Sequence, residues 1–211
     1  FIYASSVAAY GDVENATEDV ALAPTTAYGR AKAIAEEEVR RYADKDFCCT
    51  IVRCASVCGY SPHMRFDLTI NMMTHDAERR SVITVNGGSQ MRSHINIQDA
   101  CAFYRFLLDI PKERIVGETF NLVAVNQSVL ESSTIVKGVF SRHGKMIEVD
   151  VRPATDSRSY SVDGTKMRLL GFVPTHSISE AVWDVKAHFD AGNWRDSMTN
   201  QKYQNMADGL A

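Results

Sequence analysis

The chain has 211 residues, 45% of them hydrophobic and 23% charged, which is enough to bury one sizeable core or two smaller ones and too apolar for a disordered segment. A formal net charge of -3, with Lys and Arg scattered along the sequence, excludes a nucleic-acid footprint and a polybasic membrane patch and leaves small molecules or other subunits as partners. No run of 18 apolar residues and no charged-then-apolar leader occurs, and the five cysteines (Cys48, Cys49, Cys54, Cys58, Cys101) lack metal-ligand spacing. The reading is a chain with buried reduced thiols, no metal, no membrane span and a cytoplasmic location.

Phe1-Ile2-Tyr3-Ala4 is an apolar run ending in Ser5-Ser6, the pattern of a buried parallel strand that delivers side chains to a site at its carboxyl edge. A domain rarely begins with its central strand, so the chain reads as the carboxyl-terminal part of something longer. A polar loop from Gly11 to Thr26 precedes a predicted helix from Tyr28 to Tyr42, with Ala31, Ala35, Val39 and Tyr42 as its apolar stripe. Phe47 to Val52 has strand character and stops at Arg53. Past Gly59 and Pro62 the pattern predicts a basic turn holding Arg65, a helix near Phe66 to His75, and a short strand from Val82 to Val85 ended by Asn86-Gly87-Gly88. A strand from His94 to Ile97 leads to Asp99, a candidate cap for a helix running to Leu108, and Thr119 to Val123 reads as another buried strand. Ser128-x-x-Glu131 and Ser177-x-x-Glu180 have capping-box form and open helices to about His143 and about Phe189. Asn193 to Ala211 is polar and weakly periodic, a frayed tail.

Two features carry chemistry. Tyr28 and Lys32 lie one helical turn apart on one face. A free phenol ionises near pH 10, so a tyrosine used as a base near neutrality needs its ionised form favoured by on the order of 4 kcal/mol, and a fixed ammonium supplies a field of that sign. Ser6 stands at the carboxyl edge of the first strand, where α/β sheets bind ligands, and its hydroxyl suits a substrate oxygen that alternates between alcohol and ketone.

The order of the motifs adds a resemblance. Ala4-Ser5-Ser6-Val7-Ala8-Ala9-Tyr10-Gly11, then Tyr28-Gly29-Arg30-Ala31-Lys32, then Arg53-Cys54-Ala55-Ser56-Val57-Cys58-Gly59 resemble the Ser-Ser-x-x-x-Tyr-Gly, Tyr-x-x-x-Lys and Arg-x-x-Asn-x-x-Gly blocks of the extended short-chain dehydrogenase/reductase family, whose members act on nucleotide-sugars. Gly87 to Arg92 with Ile97-Gln98-Asp99, then Phe120-Asn121, Arg152-Pro153, Asp156 to Tyr160, Lys166 and Leu170-Gly171-Phe172 look like the family's later blocks. The resemblance implies an α/β fold: the carboxyl-terminal part of a Rossmann-like doubly wound parallel sheet plus a small α+β substrate-binding region. Residues 1–60 and 94–125 are then the remaining part of the NAD-binding domain, and 61–93 and 126–211 the discontinuous substrate-binding region.

By the same resemblance Ser6, Tyr28 and Lys32 are the catalytic residues and also contact the cofactor. Ser6 polarises the substrate oxygen, Tyr28 is the general acid/base, and Lys32 holds the nicotinamide ribose. Ala55 falls where the family touches the nicotinamide end through its backbone. Ser56, in place of the usual Asn, together with Arg92 and Arg158, matches substrate-binding positions on the diphosphate and nucleotide side, a task suited to guanidinium forks. The family's dehydratases carry an acidic residue just after the catalytic Ser or Thr; here those positions are Val7 and Ala8, which move no proton. The expected activity is NAD-dependent epimerisation of a nucleotide-activated sugar, at carbon 4, with NADP an open alternative as cofactor. A reductase or dehydrogenase of the same family and a non-catalytic binding module are the alternatives. The glycine-rich dinucleotide fingerprint is absent, so on the order of a hundred further residues are expected upstream. These 211 residues alone are expected to be inactive and to bind NAD poorly, and the whole protein is expected to pair as a homodimer through the helix carrying Tyr28 and Lys32.

Overall fold

In the computed structural model, which describes residues 1–44, 46–154 and 158–203, the opening apolar run forms β1 (Ile2–Ser6), followed by a 3-10 turn over Val7–Ala9. A loop then delivers the chain to α1 (Ala27–Arg41), capped by the Thr26 hydroxyl, which accepts from the Gly29 N–H at 3.0 Å. β2 (Thr50–Cys54) runs almost directly into β3 (Ser56–Cys58), and α2 (Thr69–Arg80), β4 (Val82–Asn86) and β5 (Met91–Asn96) follow. α3 (Ile97–Asp109), β6 (Thr119–Leu122) and β7 (Val125–Ser128) lead to α4 (Val129–Arg142), and β8 (Glu148–Arg152), α5 (Thr165–Leu170) and α6 (Ile178–Asp190) complete the regular elements.

The strands form a parallel sheet ordered β1-β2-β6, a sheet ordered β3-β5-β7 in which β5 and β7 are antiparallel, and a parallel pair β4-β8. This is the expected α/β class. One core gathers Val52, Phe103, Phe120 and Leu122 between the first sheet, α3 and α5, and a second gathers Ile70, Ile83, Val136, Phe140 and Val182 among α2, α4, α6 and the β4-β8 pair. Burial of such side chains, each contributing roughly 1.5–3 kcal/mol, is what holds the layers together. Among the described residues no helix is long and apolar enough to cross a membrane, no cluster of metal-ligating side chains occurs, and the five cysteines are unpaired. Cys49 and Cys58 are buried as expected, but Cys101 is exposed on α3.

Several expectations change. β1 is parallel but only half-buried, with Ala4 exposed, because it has a strand partner on one side only. The predicted stripe of α1 is not its buried face: Ala31 is exposed and Tyr42 is 66% exposed, whereas Gly29 and Glu36 are buried. A charge, not a hydrocarbon stripe, anchors this helix. β2 starts only at Thr50, since Phe47 is 44% exposed. The helix predicted from Phe66 to His75 spans Thr69–Arg80 instead, because Phe66 is used as an aromatic anchor and Ser81, at φ 58, provides the left-handed stop. The tail is not frayed throughout. Trp194 and Tyr203 pack on Phe66, and the Phe66 N–H donates to the Tyr203 carbonyl at 2.8 Å; the remainder beyond 203 lies outside the described residues. β3, β7, β8 and α5 are short elements whose sequences carry too few residues for a period to register.

Both capping boxes form as predicted, at Ser128/Glu131 and Ser177/Glu180. Asp99, by contrast, does not cap α3. Asn96 does, accepting from the Gln98 N–H at 3.0 Å. Asp99 is buried and accepts instead from the Thr175 and His176 backbone N–H groups and from His176 Nδ1 at 2.8 Å, tying the loop before α6 to α3. Burial acts to raise the Asp99 carboxyl, but these donors outweigh it and hold it below the usual range, while the hydrogen bond to Asp99 holds His176 above the ordinary imidazole value. A raised histidine contributes its full stability below its unfolded value near 6.5 and loses it as pH rises through the folded value. A depressed aspartate contributes above its unfolded value near 3.9 and loses it as pH falls through the folded one. Replacing His176 by Ala is therefore expected to cost most at about pH 5–6 and little above about pH 8, and the half-exposed imidazole limits the loss to less than about 1 kcal/mol. Urea unfolding at the two pH values checks this; a loss that does not change with pH contradicts it.

Candidate active site

The carboxyl end of β1 and the first turns of α1 meet because one residue has no side chain. A Cβ on Gly29 would stand 2.4 Å from the Ala8 carbonyl oxygen and 3.0 Å from Pro24 Cβ, so only glycine lets the helix pack this tightly on the turn after Ser6. Gly11, at φ +80, makes a second close approach, since a Cβ there would lie 2.1 Å from the Ala23 carbonyl oxygen. Together they hold the loop between Ser6 and Tyr28 in a tight reversal. Gly29→Ala is expected to push the helix off the turn, costing about 1–3 kcal/mol and lowering turnover of the whole protein; unfolding and steady-state rates measured side by side check it.

Tyr28 is 57% exposed in the first turn of α1, with its ring face toward Lys32, whose Nζ is 5.6 Å from the ring centroid. Lys32 Nζ also lies 5.2 Å from the Tyr3 ring centroid and donates to the Ala4 carbonyl at 2.7 Å. Ala4 is two residues before Ser6, so the ammonium is held by the strand that ends in the serine. Ser6 Oγ accepts from the Ala8 N–H at 3.2 Å, capping the 3-10 turn, and this leaves its O–H hydrogen available to donate. The structure thus brings Ser6, Tyr28 and Lys32 to one edge of one sheet, two on a shared helix face and the third on the strand beneath it.

Ala55 and Ser56 follow directly, because Ser6 is paired in register with Cys54. The Ala55 N–H is committed to the Leu122 carbonyl at 3.0 Å, which leaves its carbonyl as the group able to meet a ligand. Ser56 is half-buried and in register with His94 of β5. Arg92 is two residues earlier on that strand. It is 8% exposed, donates to the carbonyls of Met91 and Arg158, and stacks its guanidinium 5.1 Å from the Tyr160 ring centroid. Arg158 itself is exposed, and its backbone carbonyl is what meets the Arg92 guanidinium. Asp156 and Ser157 of the same predicted block lie outside the described residues.

Sequence reasoning gave no role to several residues around these positions, Arg53 among them although it opens a quoted motif. Glu36, 1% exposed, and Arg53, 2% exposed, form an ion pair at 2.7 Å beneath α1. Tyr104 on α3 has its phenol pushed well up by burial, with Cys54, Tyr28 and Cys101 adding smaller effects in the same direction, which marks it as a neighbour of Tyr28. His94 is pushed down to about 4 by burial and then by Arg92, so it stays neutral. The signal for Glu36 was present in its spacing, one turn beyond Lys32; Tyr104 and His94 had none in a single sequence. A separate cavity of about 430 Å³, lined by Gln127, Arg168, His176 and Ser177 among others, shares no residue with the triad.

Comparison with known proteins gives this geometry a family. Residues 1–122 match the profile of the NAD dependent epimerase/dehydratase family. The low-salt glycan biosynthesis protein Agl12 of Haloferax volcanii is 29% identical over 188 residues, covering 86% of this chain and 59% of that protein. The dTDP-glucose 4,6-dehydratase of Neisseria gonorrhoeae is 28% identical over 202 residues, covering 86% of this chain and 57% of that protein. The chain thus spans less than two thirds of the length of these relatives. The structure of UDP-glucuronic acid 4-epimerase from Bacillus cereus, solved with UDP-glucuronic acid and NAD, superposes with a TM-score of 0.74 over 89% of this chain and 62% of that one, at 22% identity, a likeness of fold alone. With more than half its length under one family profile, the chain belongs to the NAD dependent epimerase/dehydratase family.

Proposed function

We propose that the whole protein epimerises a nucleotide-activated sugar at carbon 4, with NAD as cofactor and NADP as the alternative. The observation that carries this reading is the Tyr28–Lys32 pair held over the strand that ends in Ser6, next to two positions, Val7 and Ala8, that hold no proton-moving group. Val7 is 3% exposed and built into the core, so no nearby side chain supplies a second acid or base from that turn. One acid/base and one polarising donor suffice for oxidation and reduction at a single carbon.

The residues fit a nicotinamide dinucleotide because Lys32 is a cation fixed by the Ala4 carbonyl beside a 57%-exposed phenol at the sheet edge. Lys32 would hold the nicotinamide ribose and the Ala55 carbonyl would face the nicotinamide end. When bound, the nicotinamide supplies a hydride acceptor that returns what it takes. Tyr28 moves the proton of the sugar hydroxyl, and Ser6 donates to the same oxygen as it becomes a carbonyl. Ser56, Arg92 and Arg158 would bind the diphosphate and nucleotide, leaving the sugar ring room to turn and present its other face. In this reading residues 1–60 and 94–125 carry the cofactor, and 61–93 with 126–211 carry the substrate. A cytoplasmic homodimer is part of the same proposal, and Ile34 on α1 and Tyr42 at its C-cap, 65% and 66% exposed, support pairing through that helix.

Dehydration is the second reading, favoured by the 28% identity to a dTDP-glucose 4,6-dehydratase and opposed by Val7 and Ala8. Incubating the whole protein with sugar nucleotides and following both the reduced-nicotinamide absorbance and product mass separates the cases. The proposal predicts a product of unchanged mass with inverted configuration at carbon 4 and no stoichiometric absorbance change. Loss of water, or net cofactor turnover, contradicts it.

A further inference from the structure

The buried charge under α1 lies where it acts on the site. Glu36 is one helical turn beyond Lys32, so the two side chains share a face. That face is stitched to successive residues of β1. Lys32 Nζ donates to the Ala4 carbonyl at 2.7 Å, and Ser5 Oγ donates to Glu36 Oε1 at 2.5 Å. The next residue is Ser6. Ser5 is the register partner of Arg53 on β2, and Arg53 clasps the same carboxylate through Nε at 3.0 and 3.1 Å and through the second guanidinium nitrogen at 2.7 Å. One carboxylate therefore fixes the helix to two neighbouring strands directly below the triad.

Arg53 is fixed in turn. Its remaining nitrogen donates to the Tyr10 hydroxyl at 2.8 Å and to the Glu18 carbonyl at 3.0 Å, and Tyr10 donates to Asn121 Oδ1 at 2.9 Å. Asn121 donates its side-chain amide to the carbonyls of Ala16 and Asp163, and its backbone N–H donates to Glu18 Oε1. The first half of the loop that separates Ser6 from Tyr28 is thus tied to this network, at Tyr10, Ala16 and Glu18. A buried pair of this kind adds little net stability, since apolar residues of similar volume hold a core about as well. What it supplies is direction: a bidentate fork defines where a helix sits in a way that methylene packing does not.

We infer that Glu36 and Arg53 are positioning residues of the catalytic site: their ion pair sets the height and rotation of α1 over β1 and β2, and thereby aims Lys32 and Tyr28 at the edge that carries Ser6. The inference rests on the catalytic roles given above to those three residues, and it adds two that touch neither substrate nor cofactor.

The decisive variant removes both charges at once. In the whole protein, Glu36→Gln with Arg53→Met keeps an acceptor for Ser5 and fills the space of the guanidinium with an unbranched apolar chain. Its melting temperature is expected near that of the unchanged protein, its KM for the sugar nucleotide near normal, and its kcat lower by about ten- to a hundredfold, the cost of a displaced catalytic group. The rate at which an amine-acylating reagent modifies Lys32, read by mass spectrometry, needs no substrate and is expected to rise severalfold as the ammonium leaves the Ala4 carbonyl. Restoring Arg53 alone does not restore kcat, because the bidentate partner is still absent; restoring Glu36 as well does. A stable double variant with normal kcat and unchanged Lys32 reactivity overturns the inference. If the unchanged protein turns over no sugar nucleotide, the functional proposal fails by itself, and the Lys32 reactivity still decides whether the ion pair positions the helix.

Discussion

Replacing Tyr28 by Phe is expected to lower kcat of the whole protein by about 10²- to 10⁴-fold while leaving folding stability within about 0.5 kcal/mol. The rate effect follows from losing the group that moves the hydroxyl proton. The stability statement follows from geometry, since Tyr28 is 57% exposed and its hydroxyl makes none of the hydrogen bonds found among the described residues. The ring contact with Lys32 survives the substitution, because the cation sits over the ring and not at the hydroxyl. Substrate KM is expected to change little, since the lost interaction matters as the proton moves. Steady-state rates and urea unfolding on the same preparation test both halves. A Tyr28→Phe variant with undiminished turnover removes Tyr28 from the mechanism, whatever the fold.

The largest stability effect is expected from Arg53→Met made singly. It strands the Glu36 carboxylate, 1% exposed, with the Ser5 hydroxyl as its close donor and with Arg40 at 3.6 Å. Breaking a buried pair from one side costs about 3–5 kcal/mol, because a charge is left without its partner in a place water does not reach. For a chain of this size that corresponds to a fall in melting temperature of roughly 10 °C. Adding Glu36→Gln removes the stranded charge and is expected to return most of the loss. A single variant that melts with the unchanged protein would show that water or Arg40 neutralises Glu36 without Arg53.

The capping boxes at Ser128 and Ser177 were readable because capping is local chemistry, with donor and acceptor three residues apart. β6 was readable because all four of its residues are buried and Phe120 and Leu122 flank Asn121 with apolar side chains. The nearness of Tyr28 and Lys32 was readable for a related reason: they are neighbours on one helix, and Ser6 ends the strand that precedes it. The packing face of α1 was not. Periodicity reports where apolar residues lie, and this helix buries Glu36 because its partner comes from β2, 17 residues away. Asp99 was misjudged for the same reason, since a first-turn aspartate resembles a cap and its partners, Thr175 and His176, are 76 and 77 residues distant. The buried position of Arg92, with Tyr160 beneath its guanidinium and the Arg158 carbonyl as acceptor, depends on a strand pairing that the local sequence does not encode.

The central claim is that a hydroxyl, a phenol and an ammonium from β1 and α1 act on one sugar oxygen and one ribose. A structure of the whole protein with NAD and a sugar nucleotide tests it most directly. The account predicts Ser6 Oγ and Tyr28 Oη within about 2.6–3.2 Å of the same sugar oxygen, with Lys32 Nζ on the nicotinamide ribose. A sugar bound with its carbon 4 oxygen out of reach of both, or with another side chain in the position of Tyr28, contradicts it.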